Sequence, residues 1–285
     1  MTARSRMRIA AATLVFGTAQ GLAVAAGGAQ YVAMGSSYAA GPGIPPTVTA
    51  SPVRCARSEE NYAHVLAAKR KLTLVDVSCS GATTHDVLSA GQFGLPAQVD
   101  AVTEQTQWVT VTIGGNDVYY MANLIGLSCA GGPAPQGAPG RCRVQPDDAV
   151  AERFKSLPDS LREIVMRVHA KSPKAQVVFV TYFTVLPKQG TCARVALTVE
   201  QADHMRAVAT RLRDITREVA RQTGSGVVDV AALSRTHDAC ARDPWVLGAR
   251  READESIPPF HPTREAMHDV GEALDAYFAS KAPQQ

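Results

Sequence analysis

Short runs of apolar residues recur along this chain, and they limit its possible folds more than any other feature of the sequence. Five of the runs are rich in residues that favour strands, and they cover residues 30–34, 72–77, 108–113, 176–182 and 226–230. A strand with one wet face alternates apolar and polar residues, whereas a parallel strand covered on both faces is apolar almost throughout. The runs therefore predict parallel strands that are buried between two layers.

Helical patterns occupy the stretches between these runs. The clearest one follows Thr198 and repeats apolar residues at helical spacing: Val199, Ala202, Met205, Val208, Leu212, Ile215 and Val219. Thr198 and Gln201 form a capping box at its start, and Gly224 supplies a stop at its end. A second pattern covers residues 147–170, and Pro158 is expected to kink or divide that helix.

The alternation of strands and helices indicates an α/β fold. We expect a three-layer α/β/α sandwich around a central, mostly parallel five-stranded sheet, formed by a single domain over residues 30–285. Hydrophobic residues make up 46% of the sequence, which is enough to cover such a sheet on both faces. Residues 129–142 break the pattern, because they are too rich in Gly and Pro for an element and are expected to form an excursion tied at its ends by cysteines.

Residues 1–29 have the order of a secretory signal peptide. Arg4, Arg6 and Arg8 precede an apolar run over residues 9–24, and small residues follow it. The apolar run is too short and too often interrupted by Thr, Gly and Gln to favour a membrane anchor, so no stable membrane insertion is expected. Because the segment holds three arginines and no acid, its removal lowers the formal net charge from +3 to 0 and leaves no basic patch for nucleic acid. We therefore expect a secreted protein.

Six cysteines follow this segment, and an even number in an exported chain predicts disulfides. A zinc site is improbable, since the sequence has no Cys-x-x-Cys motif and no pair of histidines at ligand spacing near a cysteine. The sequence leaves the pairing open. The preferred pairing joins sequential neighbours and ties three separate loops: Cys55 with Cys79, Cys129 with Cys142, and Cys192 with Cys240.

Polar and glycine residues follow the predicted strands at the end of the sheet where the functional groups of open α/β folds collect. They are Ser36 and Ser37 after the first strand, Gly81 after the second, Asn116 in a Gly-Gly-Asn-Asp run after the third, and His261 just before the last helix. Each of them alone is ordinary, since a serine after a strand is usually a turn or cap residue. Together they supply a nucleophile, a base, a main-chain N–H and an amide donor, which are the groups that acyl transfer needs.

These blocks resemble, in kind and in order, those of the SGNH or GDSL-type hydrolases, and the stretch YVAMGSSYAAGPG with the six cysteines is similar to the secreted actinobacterial esterases and lipases of that family. The resemblance implies that Ser37 is the nucleophile and His261 the general base. It also implies an oxyanion hole made by the N–H groups of Ser37 and Gly81 and by the side chain of Asn116. The α/β-hydrolase alternative fits less well, because its Gly-x-Ser-x-Gly motif is incomplete here.

Two positions depart from the family pattern. Ser36 stands where the family usually has Asp, and Pro258, three residues before His261, stands where the family usually has the acid of a triad. A histidine base needs a group that fixes its tautomer. The main-chain carbonyl of Pro258 is expected to take this role, as in the secreted branch of the family, with the carboxylates of Asp254 and Glu255 as the alternative.

The leading hypothesis is a secreted serine esterase or lipase that hydrolyses carboxylic esters through an acyl-enzyme on Ser37. One alternative is a carbohydrate O-deacetylase, which would use the same residues in a different pocket. Another is an extracellular binding module whose catalytic site has decayed, although such a module has no need for Gly81, Asn116 and His261 together. The expected partner is a small-molecule, lipid or acylated-carbohydrate ester, bound by a monomer without a cofactor or a metal.

Overall fold

Five parallel strands form the centre of the structure, a computed structural model that describes residues 30–129, 142–249 and 256–281. The strands are β1 (Tyr31–Gly35), β2 (Leu74–Asp76), β3 (Trp108–Thr112), β4 (Gln176–Val180) and β5 (Gly226–Val228). They lie in one sheet in the order β2-β1-β3-β4-β5, and each neighbouring pair is parallel. The predicted five-stranded, mostly parallel sheet is confirmed, although β2 and β5 are shorter than the apolar runs that predicted them.

Helices cover both faces of this sheet. They are α1 (Ser37–Ala40), α2 (Tyr62–Arg70), α3 (Thr84–Leu88), α4 (Tyr120–Ser128), α5 (Asp147–Lys171), α6 (Val199–Thr223), α7 (Val230–Leu233) and α8 (Arg264–Lys281), with short 3-10 turns at Val53–Cys55, Gln92–Gly94 and Gln98–Ala101. Helix α2 packs on α8, and α5 packs on α6. The two helix pairs are the outer layers of the predicted three-layer α/β/α sandwich.

The two long helices, α5 and α6, test the capping, stop and proline signals that were identified in the sequence. The capping box of Thr198 and Gln201 is present at the start of α6, and Gly224 ends that helix in the left-handed conformation. Helix α5 runs without a break through Pro158, so of the two expected outcomes, a kink or a division, the division does not occur. A proline inside a helix costs about 3 kcal/mol or more. A long buried face on either side of Pro158 offsets that cost: Val150, Phe154, Leu157, Leu161, Ile164, Val165 and Val168.

The order of the strands places the site. The chain leaves β1 towards β2 on one side and returns to β3 on the other, so the direction of winding reverses between β1 and β3. Ligands of open α/β sheets bind in the crevice at such a reversal, outside the carboxyl ends of the strands. Residues that follow β1 and β3 flank this crevice.

Three disulfides tie the loops of the fold, and they join sequential cysteines: Cys55 with Cys79, Cys129 with Cys142, and Cys192 with Cys240. The expected signal peptide, the interior of the excursion at residues 130–141, and Asp254 and Glu255 lie outside the described residues. Within the ranges that the structure describes, no helix has the length and apolar character needed to cross a bilayer. The same ranges contain no group of three or more His, Cys, Asp or Glu side chains arranged to hold a metal ion.

Candidate active site

A sharp turn at the end of β1 carries the two serines. Gly35 has a φ of 141°, and a Cβ at this position would lie 2.4 Å from the carbonyl oxygen of Thr112 on β3. The buried side-chain amide of Gln98 holds the turn from the other side, accepting from the N–H of Gly35 at 2.7 Å and donating to its carbonyl at 3.1 Å. Helix α1 begins directly after Ser36, so Ser37 is its first residue. First-turn N–H groups have no partner inside their own helix.

Ser37 and His261 form a hydrogen-bonded pair. The distance from Ser37 Oγ to His261 Nε2 is 2.8 Å, and both residues are more than 90% buried. The other ring nitrogen, Nδ1, lies 2.8 Å from the main-chain carbonyl oxygen of Pro259. A carbonyl can only accept, so this contact puts the proton of a neutral ring on Nδ1 and leaves the lone pair of Nε2 facing the serine hydroxyl.

The carbonyl that meets the ring is not the one that the sequence predicted. The carbonyl of Pro258 accepts the main-chain N–H of His261 at 3.2 Å, which closes a four-residue turn. Phe260, the third residue of the turn, has a φ of 60°, the sign that a type II turn has at that position. The described contact of Nδ1 is therefore with the carbonyl of Pro259 and not, as the sequence analysis expected, with that of Pro258.

Tyr38 links this turn to helix α1. Its hydroxyl donates a hydrogen bond to the carbonyl of Phe260, and its ring centre lies 5.3 Å from that of His261. The N–H of Phe260 donates to the carbonyl of Gly248 at 3.2 Å. Left-handed backbone at a bulky residue costs about 1–3 kcal/mol and persists only where its surroundings hold it. The residues that follow Ser37 and precede His261 therefore bind each other directly.

Asn116 and Gly81 come together beside the crevice. The Asn116 side-chain nitrogen donates to the carbonyl of Ala82 at 2.9 Å, which leaves its second N–H for another acceptor. The neighbouring Asp117 accepts the N–H of Thr84 at 3.0 Å and its hydroxyl at 2.5 Å, which ties the loop after β3 to the start of α3. Burial raises the pKa of the Asp117 carboxyl, and the Thr84 hydrogen bonds lower it in part.

The Gly81 segment is also held to the end of β1. The N–H of Cys79 donates to the carbonyl of Gly35 at 3.0 Å, and the N–H of Ser80 donates to the carbonyl of Cys55 at 3.1 Å. The disulfide between these two cysteines closes the same loop. Gly81 itself has a φ of 85°, a conformation that favours glycine.

Ser36 points away from the base. Its hydroxyl lies 3.0 Å from the hydroxyl of Tyr182, which also accepts the N–H of Gly115 at 3.0 Å. Burial raises the pKa of Tyr182 to about 12, so its hydroxyl stays neutral near pH 7. Ser36 is therefore part of a buried link between the β1 turn and the loop that carries Asn116.

Four supporting residues were missed by the sequence analysis: Gln98, Tyr38, Tyr182 and Pro259. A sequence signal for Tyr38 does exist, because it follows Ser37 directly. In the first turn of a short helix, the next residue lies close to the segment that contacts the serine, here Phe260 and His261. Gln98 and Tyr182 carry no such signal. They reach the site from the stretch before β3 and the loop after β4, through side-chain contacts with residues far away in sequence.

Comparison with known proteins agrees with this geometry. The sequence matches the GDSL-like Lipase/Acylhydrolase family over residues 33–268. It is 32% identical to Lipase 2 of Streptomyces coelicolor over 242 residues, which are 81% of this chain and 80% of that protein.

Two solved structures resemble the fold at more than 25% identity. The phospholipase A1 from Streptomyces albidoflavus NA297 has a TM-score of 0.68 and 26% identity, covering 90% of this chain and all of that one. The extracellular lipase from Streptomyces rimosus has a TM-score of 0.68 and 27% identity, covering 87% and 98%. Since the family match runs from within β1 into α8, it takes in most of β1, the four other strands and every strand-end block, and the chain belongs to the GDSL-like lipase/acylhydrolase family of carboxylic ester hydrolases.

Proposed function

We propose that this hydrolase is a secreted lipase or esterase in which Ser37 is the nucleophile and His261 the general base. The observation that carries the proposal is the 2.8 Å contact between Ser37 Oγ and His261 Nε2, with Nδ1 of the same ring 2.8 Å from the Pro259 carbonyl. A serine hydroxyl is a weak nucleophile until a neighbouring base takes its proton. This contact is within the distance that such a proton transfer requires.

Each step of ester hydrolysis then has a group to perform it. His261 takes the Ser37 proton as Oγ attacks the ester carbonyl, and it returns that proton to the leaving alcohol. The resulting acyl-enzyme is hydrolysed when the same ring activates a water. The developing oxyanion accepts hydrogen bonds from the N–H groups of Ser37 and Gly81 and from Asn116, and one such donor is worth about 10²–10³ in kcat.

The Pro259 carbonyl is proposed to do the orienting work of a triad acid. It fixes the tautomer of His261, and it is held in place by the turn that Pro258 closes. It carries a dipole rather than a full negative charge, so it stabilises the imidazolium less than a carboxylate would. Orientation of the ring is thus its main contribution.

The proposed substrates are acyl esters of lipids. This class is supported by the names of the relatives, a lipase and a phospholipase A1. Secretion is supported by the three disulfides, by the signal-like residues 1–29, and by the description of one relative as an extracellular lipase. The proposal also treats residues 30–285 as a single domain that acts as a monomer.

Two serine variants test the catalytic assignment. Ser37→Ala should lose nearly all hydrolysis of p-nitrophenyl esters and all labelling by a fluorophosphonate probe. Ser36→Ala should keep a substantial part of both, because the Ser36 hydroxyl contacts Tyr182 rather than His261. The reverse pattern would reject the assignment, and a wild-type protein that takes up no probe would indicate a binding module.

A substrate series tests the proposed class. p-Nitrophenyl esters from acetate to palmitate, measured with a phospholipid and with acetylated xylan, separate a lipase from a carbohydrate O-deacetylase. A lipid esterase should prefer the longer chains and release fatty acid from the phospholipid. A preference for acetate and acetylated xylan would support the deacetylase.

A further inference from the structure

A cavity of about 660 Å³ lies apart from the proposed catalytic residues, between α6, α7 and the carboxyl ends of β3 and β4. This volume falls within the range of about 300–1,000 Å³ that is typical of small-molecule sites. Neither Ser37, Gly81, Asn116 nor His261 lines it. Tyr182 lies between the two sites, because its ring lines the cavity while its hydroxyl contacts Ser36.

The wall of the cavity is mostly apolar. Its lining includes buried apolar residues of β3, β4 and α6, and the residue that follows β3: Val111, Phe179, Val180, Leu212 and Ile113. Ala209 of α6 faces the same space and leaves it open, since its side chain is a single methyl group. Such a wall favours a hydrocarbon chain, because each buried CH₂ group contributes about 0.8 kcal/mol.

The charged residues of the lining are all cations. They are Lys188, Arg206, Arg213 and Arg235, and the lining contains no Asp or Glu. The chain as a whole has 29 Lys and Arg against 26 Asp and Glu, so this one-sided lining is a local feature. Cations beside an apolar wall match a ligand with an anionic head and a hydrocarbon tail.

Two of these cations have no described carboxylate partner, although Arg235 donates to the main-chain carbonyl of Ala232 at 3.2 Å. Arg213 is held by Asp229 at 2.6 Å, and Arg206 by Asp203 at 2.5 Å. Lys188 and Arg235 are exposed, and within the described part of the chain neither has a carboxylate within 4.0 Å. We call Lys188 and Arg235 the rim of the cavity. An anionic head group at this rim would meet two cations that are not already neutralised.

We propose that this cavity is a second lipid site, which binds the hydrocarbon chain of a long-chain fatty acid with its carboxylate at Lys188 and Arg235. Long-chain carboxylates are also products of lipid ester hydrolysis. The site is argued from its lining alone, however, and its test uses a protein without the catalytic serine. If the protein proved not to hydrolyse esters, the proposed fatty-acid site would be unaffected. If it proved not to bind fatty acid, the proposed hydrolysis would be unaffected.

Displacement of a fluorescent long-chain fatty acid by oleate, on the Ser37→Ala protein, measures the binding. Filling the cavity with Ala209→Trp should weaken oleate binding at least tenfold. The matched control is Ala207→Trp, because Ala207 is exposed on the same helix and does not line the cavity. Binding that is unchanged in a folded Ala209→Trp protein would place the oleate elsewhere and overturn the proposal.

The rim is tested separately, with exposed residues whose replacement leaves the core intact. Lys188→Glu combined with Arg235→Glu should weaken oleate binding at least tenfold while leaving the binding of oleyl alcohol nearly unchanged. Lys174→Glu combined with Arg167→Glu makes the same change of charge away from the cavity and should have little effect. If both pairs weaken oleate binding equally, the attraction is a general effect of net charge and the rim has no specific role. If the Ala209→Trp protein does not fold, this charge-reversal test alone decides whether oleate binds at the cavity.

Discussion

Tyr38→Phe tests whether the turn that carries the base is held from the nucleophile helix. The substitution removes one hydroxyl and keeps the ring, so the packing of Tyr38 against Tyr182 and His261 is retained. It leaves the carbonyl of Phe260 without the hydrogen bond that Tyr38 donates. The main chain of Phe260 itself then keeps only one of its two described hydrogen bonds, the one that its N–H donates to the carbonyl of Gly248.

The expected loss of stability depends on how deeply Tyr38 and Phe260 are buried. Tyr38 is 1% exposed and Phe260 is fully buried, so water cannot replace the lost donor. A buried acceptor without a partner costs about 1–3 kcal/mol of unfolding free energy. A shift of about 1 Å in a catalytic group can cost about 10² in rate, so we expect kcat to fall between about tenfold and a hundredfold. KM should change little, because the substitution removes no group that is proposed to bind the ground-state substrate.

Urea unfolding and steady-state hydrolysis of a p-nitrophenyl ester measure the two effects. The matched control is Tyr31→Phe, since Tyr31 is fully buried and its hydroxyl lies 2.7 Å from that of Thr110, near the opposite end of β1 from the serines. Both variants should lose similar stability, and only Tyr38→Phe should lose kcat. Equal kcat in the two variants would show that Tyr38 serves stability alone and would refute the reasoning.

Three further changes test the rest of the site. Asn116→Ala should lower kcat about 10²–10³-fold with little change in KM, because it removes one oxyanion donor. Asp254→Asn and Glu255→Gln should each leave kcat/KM within about tenfold of the wild type, since the Pro259 carbonyl already accepts from the ring, whereas loss of a triad acid costs about 10⁴. Replacing Cys55 and Cys79 by Ala should cost on the order of 2–4 kcal/mol in urea unfolding without reductant, and lower kcat as well because their loop holds the Gly81 segment.

The sheet and the location of the site could be predicted because both depend on short-range patterns. Continuous apolar runs specify buried parallel strands, and the carboxyl ends of such strands meet at one edge of the sheet. Ser37, Asn116 and His261 were thus identified from their positions just after a strand or just before the last helix. The boundaries of α6 could also be predicted, since Thr198 and Gly224 are local start and stop signals.

The orienting carbonyl could not be predicted in the same way. Its identity depends on whether Phe260 takes a left-handed conformation, which a bulky residue avoids unless other parts of the fold hold it. Here the anchors come from Tyr38 and Gly248, which the sequence does not place beside Phe260. The spacing before the histidine pointed to Pro258, whereas the ring contacts the carbonyl of Pro259 because of the shape of the turn. The uninterrupted course of α5 through Pro158 has the same kind of cause, because tertiary packing outweighs a local rule.

The catalytic pair joins residues that are 224 positions apart, so its geometry depends on how two distant segments are aligned. Two adjacent hydrogen bonds contribute to that alignment. Ser37 bonds the ring of His261, and Tyr38 bonds the carbonyl of Phe260, so two consecutive residues of one segment hold two consecutive residues of the other. Because the two contacts are adjacent, they constrain the segment around His261 more than either contact would alone. A base oriented by a neutral carbonyl needs this rigidity more than one oriented by a carboxylate, because a dipole loses its effect on the ring faster than a full charge does as the two move apart.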